Sequence, residues 1–396
     1  MHRVDRTDVR GKRVLVRVDF NVPLSEGTVL DDTRIRAALP TIDHLRENDA
    51  RIILMSHLGR PSGEGFEEEY SLAPVVRVLS RILGQTVALA PTVAGPEAKA
   101  FAASLDAGEV MMLENLRFDA REKANDAAFA AELAELAELY VNDAFAVSHR
   151  AHASVHAITQ ELPSFAGFTL ESEILTLTSM LDAPRRPFLA VLGGSKVSDK
   201  IKVIDALIDR VDTLLIGGGM CFTFLKAQGY EVGASLCQDD WQANALQLLE
   251  KAAARGVEFL LPVDVVAATH MAEDAYARVL SIEEMAADLM GLDIGPATFE
   301  LYARAIGKAE TIFWNGPMGV FELRPFAAGT RAVAKAMAAH QTATTIVGGG
   351  DSIAAVKACG VEDKISFIST GGGAAMQLLE GTPLPGVEAL NAPLPA

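Results

Sequence analysis

Short apolar runs alternate with amphipathic segments along the first part of the chain. The apolar runs, each with a polar ending, are "RVLVRVDFNVP", "RIILMSHLGRP", "VMMLENLRF" and "LYVNDAF". The segments "TRIRAALPTIDHLREN" and "AAFAAELAELAEL" are typical of helices. Short strands that alternate with helices predict a parallel sheet with helices on both faces.

The second half repeats this pattern. Its apolar runs, most of which end in glycine, are "FLAVLGGSK", "TLLIGGGM", "VEFLLPVD", "TIFWNGPMG", "TTIVGGGDS" and "ISFISTGGG". Helical segments such as "DDWQANALQLLEKAAARG" lie between several of them. The prediction is an α/β protein with two doubly wound, Rossmann-like domains, each built on its own parallel sheet.

The segment "TLESEILTLTSML" places four apolar residues on one helical face: Leu170, Ile174, Leu177 and Leu181. It is followed by "DAPRRP", whose prolines end a helix. We therefore predict a hinge helix between the domains. The predicted bounds are 1–168 for the N-terminal domain, 169–184 for the hinge helix and 185–380 for the C-terminal domain.

Polar and cationic side chains follow four strands of the first half. They are Arg17, Asp19 and Asn21 after the first, His57 and Arg60 after the second, Arg117 after the third, and His149 and Arg150 after the fourth. Ligands of open parallel sheets bind at the carboxyl ends of the strands, so these groups predict one anion-binding face. The alternative is scattered surface arginines, although arginine so close to an apolar strand needs an acidic partner or a ligand.

Three glycine triplets end apolar runs in the second half, at 217–219, 348–350 and 371–373. Glycine permits positive φ and lets backbone N–H groups approach a ligand. A strand, a glycine turn and a helix together form an anion site. The triplets therefore predict a nucleotide pocket, to which we assign Gly217 and Gly218. For any single triplet, the alternative is that glycine only lets a helix pack closely on a strand.

Lys196 and Lys200 in "GGSKVSDK" lie four residues apart at a predicted helix start. This spacing puts both ammonium groups on one face, which favours a bound polyphosphate over two solvated lysines. Asp351 follows the second triplet, and its carboxylate suits Mg²⁺ held against phosphates, a site that needs only one or two carboxylates.

Composition narrows the possible classes of protein. A chain of 396 residues, half of them apolar, is long enough for two packed domains. A net charge of −17 argues against nucleic-acid binding, and no apolar run approaches the roughly 20 residues of a membrane helix. The N-terminus has no apolar signal core, so we expect a cytoplasmic protein. Three cysteines without a CxxC pair suit neither a disulfide framework nor a zinc site.

Several known nucleotide-binding motifs do not occur in this sequence. GxGxxG does not fit any triplet, and both the P-loop pattern and the protein-kinase motifs are missing from the sequence. A dehydrogenase would therefore need an unorthodox dinucleotide site. A two-lobed binding protein for phosphorylated metabolites is a second alternative, but it would need neither the lysine pair nor the acid beside the glycine turn.

The sequence also contains, in order, the motifs "RVDFNVP", "SHLGRP", "MLENLRF", "NDAF", "HRAH", "GGSKVSDK", "WNGPMGVFE", "GGGDS" and "STGGGA". In this it resembles the phosphoglycerate kinases over essentially its whole length. The resemblance implies a two-lobed, hinge-bending, monomeric enzyme of glycolysis and gluconeogenesis. Such an enzyme transfers a phosphoryl group from 1,3-bisphosphoglycerate to ADP with Mg²⁺, giving 3-phosphoglycerate and ATP. It also implies that the tail, 381–396, packs back on the N-terminal domain.

The resemblance implies two sets of site residues. Those for 3-phosphoglycerate are Asp19, Asn21, Arg34, His57, Arg60, Arg117 and Arg150. Those for the nucleotide are Lys196, Lys200, Glu322, Gly349, Gly350, Asp351 and Ser352, with Glu322 on the ribose and Asp351 on the metal.

The acceptor in the ATP-consuming direction is a carboxylate, which is ionised at neutral pH with a reference pKa near ~4. The reaction then needs no general base, and catalysis rests on positioning and electrostatic stabilisation. We predict that Arg34 and Lys196 surround the migrating phosphoryl group, together with backbone N–H groups of Gly371, Gly372 and Gly373.

Overall fold

The computed structural model describes residues 1–392 and contains two six-stranded sheets. The chain divides into two compact units, Met1–Leu175 together with the segment that starts at Pro383, and Thr176–Thr382.

The first unit is an α/β unit around one parallel sheet. Its strands are β1 (Arg13–Arg17), β2 (Leu24–Ser25), β3 (Thr28–Val29), β4 (Arg51–Met55), β5 (Ala88–Leu89), β6 (Val110–Met112), β7 (Leu139–Asn142) and β8 (Ser164–Ala166). Its helices are α1 (Thr33–Ala37), α2 (Leu39–Glu47), α3 (Ala73–Leu83), α4 (Gly95–Ala103), α5 (Ala120–Lys123) and α6 (Ala127–Ala134). The long helix α7 (Phe168–Asp182) follows.

The strand order of this sheet is β5-β6-β4-β1-β7-β8, and all its pairs are parallel. β2 and β3 form a separate antiparallel hairpin. Val16 of β1 lies in register with Leu54 of β4 and Val141 of β7, and all three are buried. Burial on both faces explains why these strands are continuous apolar runs.

The second unit repeats the architecture. Its strands are β9 (Phe188–Leu192), β10 (Thr213–Ile216), β11 (Glu258–Leu260), β12 (Asp264–Ala268), β13 (Arg278–Ser281), β14 (Met290–Ile294), β15 (Thr311–Asn315), β16 (Thr344–Gly348) and β17 (Phe367–Ser369). Its helices are α8 (Ile201–Ile208), α9 (Cys221–Ala227), α10 (Gln242–Arg255), α11 (Pro296–Ile306), α12 (Ala328–Ala339), α13 (Gly350–Ala358) and α14 (Gly373–Leu379).

The second parallel sheet has the order β11-β10-β9-β15-β16-β17. Both predicted sheets are therefore confirmed. A three-stranded antiparallel sheet of order β13-β12-β14 accompanies it and was not predicted. It begins where Pro262 divides the run "VEFLLPVD" between β11 and β12.

The segment predicted as one helix at "TRIRAALPTIDHLREN" forms two, α1 and α2, with a break at Ala38. Pro40 explains the break, because it has no N–H to donate to a carbonyl one turn earlier and its ring obstructs a continuous helix. Pro40 instead lies in the first turn of α2, where proline is tolerated.

Helix α7 covers 169–182 of the segment predicted as a hinge helix, 169–184, and ends two residues before the predicted limit. Leu170, Leu177 and Leu181 on its apolar face are buried. The division between the units falls within α7, after Leu175. In the C-terminal segment, α15 (Pro385–Glu388) follows, and the N–H of Gly386 donates to the carbonyl of Ser148 at 2.9 Å. The predicted domain limits stay predictions, and the predicted tail contacts of residues 393–396 lie outside the described residues.

Candidate active site

The predicted anion-binding residues of the first unit lie at one edge of its sheet. β6, β4, β1 and β7 are consecutive neighbours and run parallel, so their carboxyl ends share that edge. The loops after these four strands carry Arg117, His57 with Arg60, Asp19 with Asn21, and Arg150, respectively. The topology therefore places these groups at the ligand-binding edge of a parallel sheet.

Arg17, the last residue of β1, is a buried cation at this edge and is 1% exposed. Its guanidinium donates to Ser154 Oγ at 3.0 Å and to the carbonyl of Val18, and contacts His57 Nδ1 at 3.1 Å. Burial lowers the pKa of His57 well below its usual value, and the charge of Arg17 lowers it further. His57 is therefore a neutral imidazole in the ligand-free protein.

The loops after β4 and β6 are held together by Asn115. Its Oδ1 accepts from the N–H groups of Leu58 and Arg117, and its Nδ2 donates to the carbonyls of Leu58 and Tyr70. The Arg117 guanidinium donates to the carbonyl of Gly59 at 2.7 Å. Burial, with the charges of Arg17 and Arg150, lowers the pKa of Arg117 to about 10, so it remains a cation at neutral pH.

The remaining predicted groups of this edge differ in exposure. Asn21 Oδ1 accepts from the N–H of Gly59 at 2.8 Å, and Arg34 donates to the carboxylate of Asp19. Arg60 and Arg150 are exposed, and Arg150 Nε lies 3.1 Å from His149 Nε2. The edge thus combines fixed polar groups with two cations that are accessible to an anion.

Two buried residues behind this edge, Glu122 and Ser154, were missed by the sequence analysis. Ser154 Oγ donates to Glu122 Oε1 at 2.6 Å, and the N–H of Ser154 donates to Oε2 at 2.9 Å. They lie in "AREKAN" and in "HRAHAS", next to motifs that were noted, but no sequence pattern shows that a glutamate is buried.

The second unit contains a cleft of about 280 Å³ built from four loops. The lining residues are Gly193, Gly194, Ser195, Lys196, Asp199, Lys200, Asn315, Gly316, Pro317, Gly349, Gly350, Asp351, Ser352, Gly372 and Met376. The loops follow β9, β15, β16 and β17, which are neighbours in the sheet. Most of the predicted nucleotide residues are thus brought together at the carboxyl edge of the second sheet.

Close approach of the turns requires glycine at this edge. A Cβ on Gly193 would lie 2.0 Å from the carbonyl oxygen of Pro317, and one on Gly316 would lie 2.3 Å from that of Gly193. Gly217 and Gly218 lie outside the cleft lining, and a Cβ on Gly218 would meet the carbonyl oxygen of Gly194 at 2.5 Å. Packing between turns accounts for these two glycines, and their predicted nucleotide contact stays a prediction.

Lys200 is the cation best fixed in this cleft. Its Nζ donates to Asn315 Oδ1, and Asn315 Nδ2 donates to the carbonyl of Gly348 at 2.9 Å. Burial lowers the pKa of Lys200 to about 8, against the opposing charges of Asp199, Asp351 and Glu380. Lys200 is therefore charged at neutral pH but close to titration. Lys196 lines the same cleft with its side chain exposed.

The turn after β16 forms the N-terminus of α13, with Gly349 at φ 92°. Asp351 lies exposed in the first turn and lines the cleft. Ser352 is buried, and its Oγ accepts from the N–H of Gly316 at 2.6 Å, which joins two turns. A helix N-terminus beside a lysine is a suitable site for a phosphate chain.

The remaining predicted residues are Gly371, Gly372 and Glu322, which belong to other loops. Gly372, at φ 51°, lines the cleft before α14, and the N–H of Gly371 donates to Ser369 Oγ at 3.3 Å. Glu322 is exposed in the loop that follows β15, outside the cleft lining. The predicted contact of Glu322 with ribose stays a prediction.

Residues 1–392 hold no cluster of three or more His, Cys, Asp or Glu side chains arranged as a metal site. Over the same range, no helix is both long and apolar enough to cross a bilayer. Cys221, Cys237 and Cys359 are free thiols, and Cys221 is buried.

The chain has two parallel-sheet units. One has cations at its ligand-binding edge, and the other has a glycine-turn cleft that contains lysines. This combination defines a nucleotide-dependent phosphotransferase. The family model described as phosphoglycerate kinase matches residues 4–382. The phosphoglycerate kinase of Roseiflexus sp. (strain RS-1) is 56% identical over 386 residues, which cover 97% of each chain. The chain belongs to the phosphoglycerate kinase family.

Solved structures of phosphoglycerate kinases have the same fold as this chain. The phosphoglycerate kinase of Coxiella burnetii superposes with a TM-score of 0.89 at 43% identity, over 98% of each chain. That of Pyrococcus horikoshii superposes with a TM-score of 0.86 at 32% identity, over 99% of this chain and 98% of the other. The predicted family, fold class and enzyme class, a kinase with a carboxyl acceptor, are therefore confirmed.

Proposed function

We propose that the chain catalyses reversible phosphoryl transfer from 1,3-bisphosphoglycerate to ADP, giving 3-phosphoglycerate and ATP. The observation that carries this proposal is the difference between the two sheet edges. One presents arginines and a neutral histidine, and the other presents glycine turns, two lysines and an aspartate. These are the groups expected for a phosphorylated acid and for a polyphosphate.

The first edge binds the glycerate substrate. Arg60 and Arg150, which are exposed, and Arg117, which is held by Gly59, bind the phosphate that is not transferred. Arginine suits this role because its planar fork matches phosphate oxygens. The glycerate is oriented by the neutral side chains of Asn21 and His57 and by the acceptor carboxylate of Asp19. These contacts keep its carboxyl end in one position.

The cleft of the second unit binds the nucleotide phosphates. Lys196 and Lys200 supply cations, and the turn of Gly349 and Gly350 presents the N-terminus of α13. Asp351 is the residue that fits Mg²⁺, because it is an exposed oxygen donor beside this turn and Mg²⁺ takes its other ligands from phosphate and water. When bound, the ion neutralises phosphate charge. Ser352 is engaged by Gly316 and supports the turn.

Transfer needs no base on the protein, because the acceptor carboxylate is already ionised. The difficulty is the repulsion between two anions, which cationic and N–H groups relieve. We assign this role to Arg34, Lys196 and the N–H groups that precede α14, from Gly371 to Gly373. Direct transfer also requires both ligands to meet, so turnover requires closure of the two units. X-ray scattering should then detect compaction only when both ligands are present.

We also propose that the chain acts in the cytoplasm and as a monomer. Its free thiols suit a reducing compartment. Size-exclusion chromatography with light scattering tests the oligomeric state, and a mass of about twice 42.1 kDa would contradict it.

Calorimetric titration tests the division of the two sites. Wild-type protein should bind both 3-phosphoglycerate and MgADP. Arg117→Ala should weaken the binding of 3-phosphoglycerate roughly tenfold or more and leave the binding of MgADP unchanged. Lys200→Met should weaken the binding of MgADP and leave the binding of 3-phosphoglycerate unchanged. Equal weakening of both ligands by either variant, or binding of NAD in place of ADP, would contradict the proposal.

A further inference from the structure

A line of four buried polar side chains runs behind the substrate edge of the first unit. It begins at Glu122, passes through Ser154 and Arg17, and ends at His57, and none of the four is more than 4% exposed. These groups come from α5, the loop after β7, β1 and the loop after β4. They therefore connect segments that are far apart in sequence.

The contact between Arg17 and His57 fixes the tautomer of the imidazole. The guanidinium nitrogen lies 3.1 Å from Nδ1. A guanidinium carries only donors, so Nδ1 must be the acceptor. In the neutral ring the single proton then resides on Nε2, which becomes the only donor that His57 can offer to a ligand.

Arg17 is itself oriented from behind. Its Nε donates to Ser154 Oγ at 3.0 Å, and that hydroxyl donates onward to Glu122 Oε1 at 2.6 Å. The second carboxylate oxygen accepts from the N–H of Ser154 at 2.9 Å. Because a buried cation without a counter-charge is costly, Glu122 balances Arg17 through the serine.

We propose that Glu122 and Ser154 are positioning residues, which orient Arg17 so that His57 is held as the Nε2–H tautomer and donates a hydrogen bond to an anionic oxygen of the glycerate substrate. That the glycerate substrate accepts this hydrogen bond rests on the proposed function, whereas the assignment of the His57 tautomer does not. The line transfers no proton, because Arg17 stays a cation and only donates. His57 then discriminates by geometry and does not contribute charge.

The charges around His57 support a neutral ring. Burial is the largest cause of its lowered pKa, followed by the charges of Arg17, Arg117 and Arg34 and then by His152. Burial, followed by the charges of Arg17, Arg117 and Arg150, also lowers the pKa of His152, to about 4. Burial raises the pKa of Glu122, and Arg17, Ser154 and Arg117 oppose that rise.

Nitrogen-15 NMR of the ligand-free, full-length protein tests the tautomer. Long-range proton–nitrogen correlations should show His57 protonated at Nε2 alone, without titration across the neutral range. His57→Gln identifies the signal. A ring protonated at Nδ1, or an imidazolium that titrates near about pH 6.5, would overturn the proposal.

Ser154→Ala tests the positioning role and retains both charges. It should produce a mixture of His57 tautomers and raise KM for 3-phosphoglycerate roughly tenfold, with kcat and KM for ATP unchanged. Glu122→Gln should act in the same direction. Ser164→Ala is the matched control, since Ser164 is a buried serine of β8 whose hydroxyl donates to the carbonyl of Leu162 at 2.7 Å.

An unchanged His57 tautomer in Ser154→Ala would overturn the role of Glu122 and Ser154, whatever happens to KM. If Glu122→Gln fails to fold, the serine variant still decides the matter. Inactive wild-type protein that shows the Nε2–H tautomer would contradict the proposed function and leave the orientation of His57 by Arg17 intact, so the two failures are distinguishable.

Discussion

Arg34 donates a hydrogen bond to the carboxylate of Asp19, so two residues assigned to the substrate site already contact each other without a ligand. Arg34 is 34% exposed and Asp19 is 11% exposed. The pair holds the guanidinium in a defined place and leaves part of its fork accessible. An arginine that must meet a migrating phosphoryl group is thereby pre-positioned, which lowers the entropic cost of reaching the transition state.

Replacing Arg34 should affect turnover far more than stability. Arg34→Ala is expected to lower kcat on the order of 10³-fold, because a cation at the transferring group is lost. The melting temperature should change little, since a partly exposed ion pair contributes roughly 1 kcal/mol or less. Arg34→Lys is the control that retains charge without the fork. Near-normal kcat in Arg34→Ala would show that the assignment is wrong.

Lys196 is expected to act in the same step from the other unit. Lys196→Ala should also lower kcat on the order of 10³-fold, because its ammonium lines the nucleotide cleft. Lys202→Ala is a matched control, since Lys202 is an exposed lysine six positions along the chain that lies outside the cleft lining. Steady-state kinetics of both variants at saturating substrates make the comparison. A similar loss of kcat in the two variants would show that overall positive charge matters and that Lys196 has no specific position in the reaction.

The pKa of Lys200 predicts pH-dependent nucleotide affinity. Because burial lowers this pKa to about 8, Lys200 is charged below that pH and loses its charge above it. Affinity for ADP should therefore fall above about pH 8, by up to roughly tenfold per pH unit. Titration calorimetry from about pH 7 to about pH 9.5 measures the change. Lys200→Arg, which stays charged, should flatten the curve, and a flat curve in the wild-type protein would contradict the prediction.

The glycine turns of the second unit should be intolerant of side chains for reasons of packing. Gly316 has φ 96°, and a Cβ there would lie 2.3 Å from the carbonyl oxygen of Gly193. Gly316→Ala is expected to lower the free energy of unfolding by ~3 kcal/mol or more. Gly256 also has positive φ, at 71°, but open space around it, so Gly256→Ala should cost only ~1 kcal/mol.

Urea unfolding of the two variants measures this difference. Equal destabilisation would mean that backbone conformation alone decides the cost. A larger loss in Gly316→Ala supports the view that some glycines of this edge let turns approach each other, whereas Gly350, with open space at its Cα, is free to face a ligand.

Periodicity predicted the two parallel sheets because buried strands such as β1 and β15 are short apolar runs between amphipathic helices. It did not predict the antiparallel sheet of β12, β13 and β14, since β13 has only four residues and none of them is buried. The break at Ala38 depends on one proline, whose effect on a helix varies with its distance from the helix start.

Most of the predicted site residues came from strand ends and glycine turns, where position along the chain indicates position in the fold. Arg34 and Glu322 came only from the resemblance to the family. Glu122 and Ser154 could not be found in this way, because their importance depends on burial and on partners remote in sequence. Similarly, Gly217 and Gly218 resemble the other triplets in sequence. Only the structure shows that their turn packs against the turn of Gly194.

The most direct measurement is the coupled assay that follows ADP formation from MgATP in the presence of 3-phosphoglycerate. ADP and 1,3-bisphosphoglycerate should form together, and neither should form when 3-phosphoglycerate is omitted. Arg34→Ala and Lys196→Ala should each abolish most of the rate. ATP hydrolysis that is independent of 3-phosphoglycerate, or no transfer by well-folded wild-type protein, would contradict it.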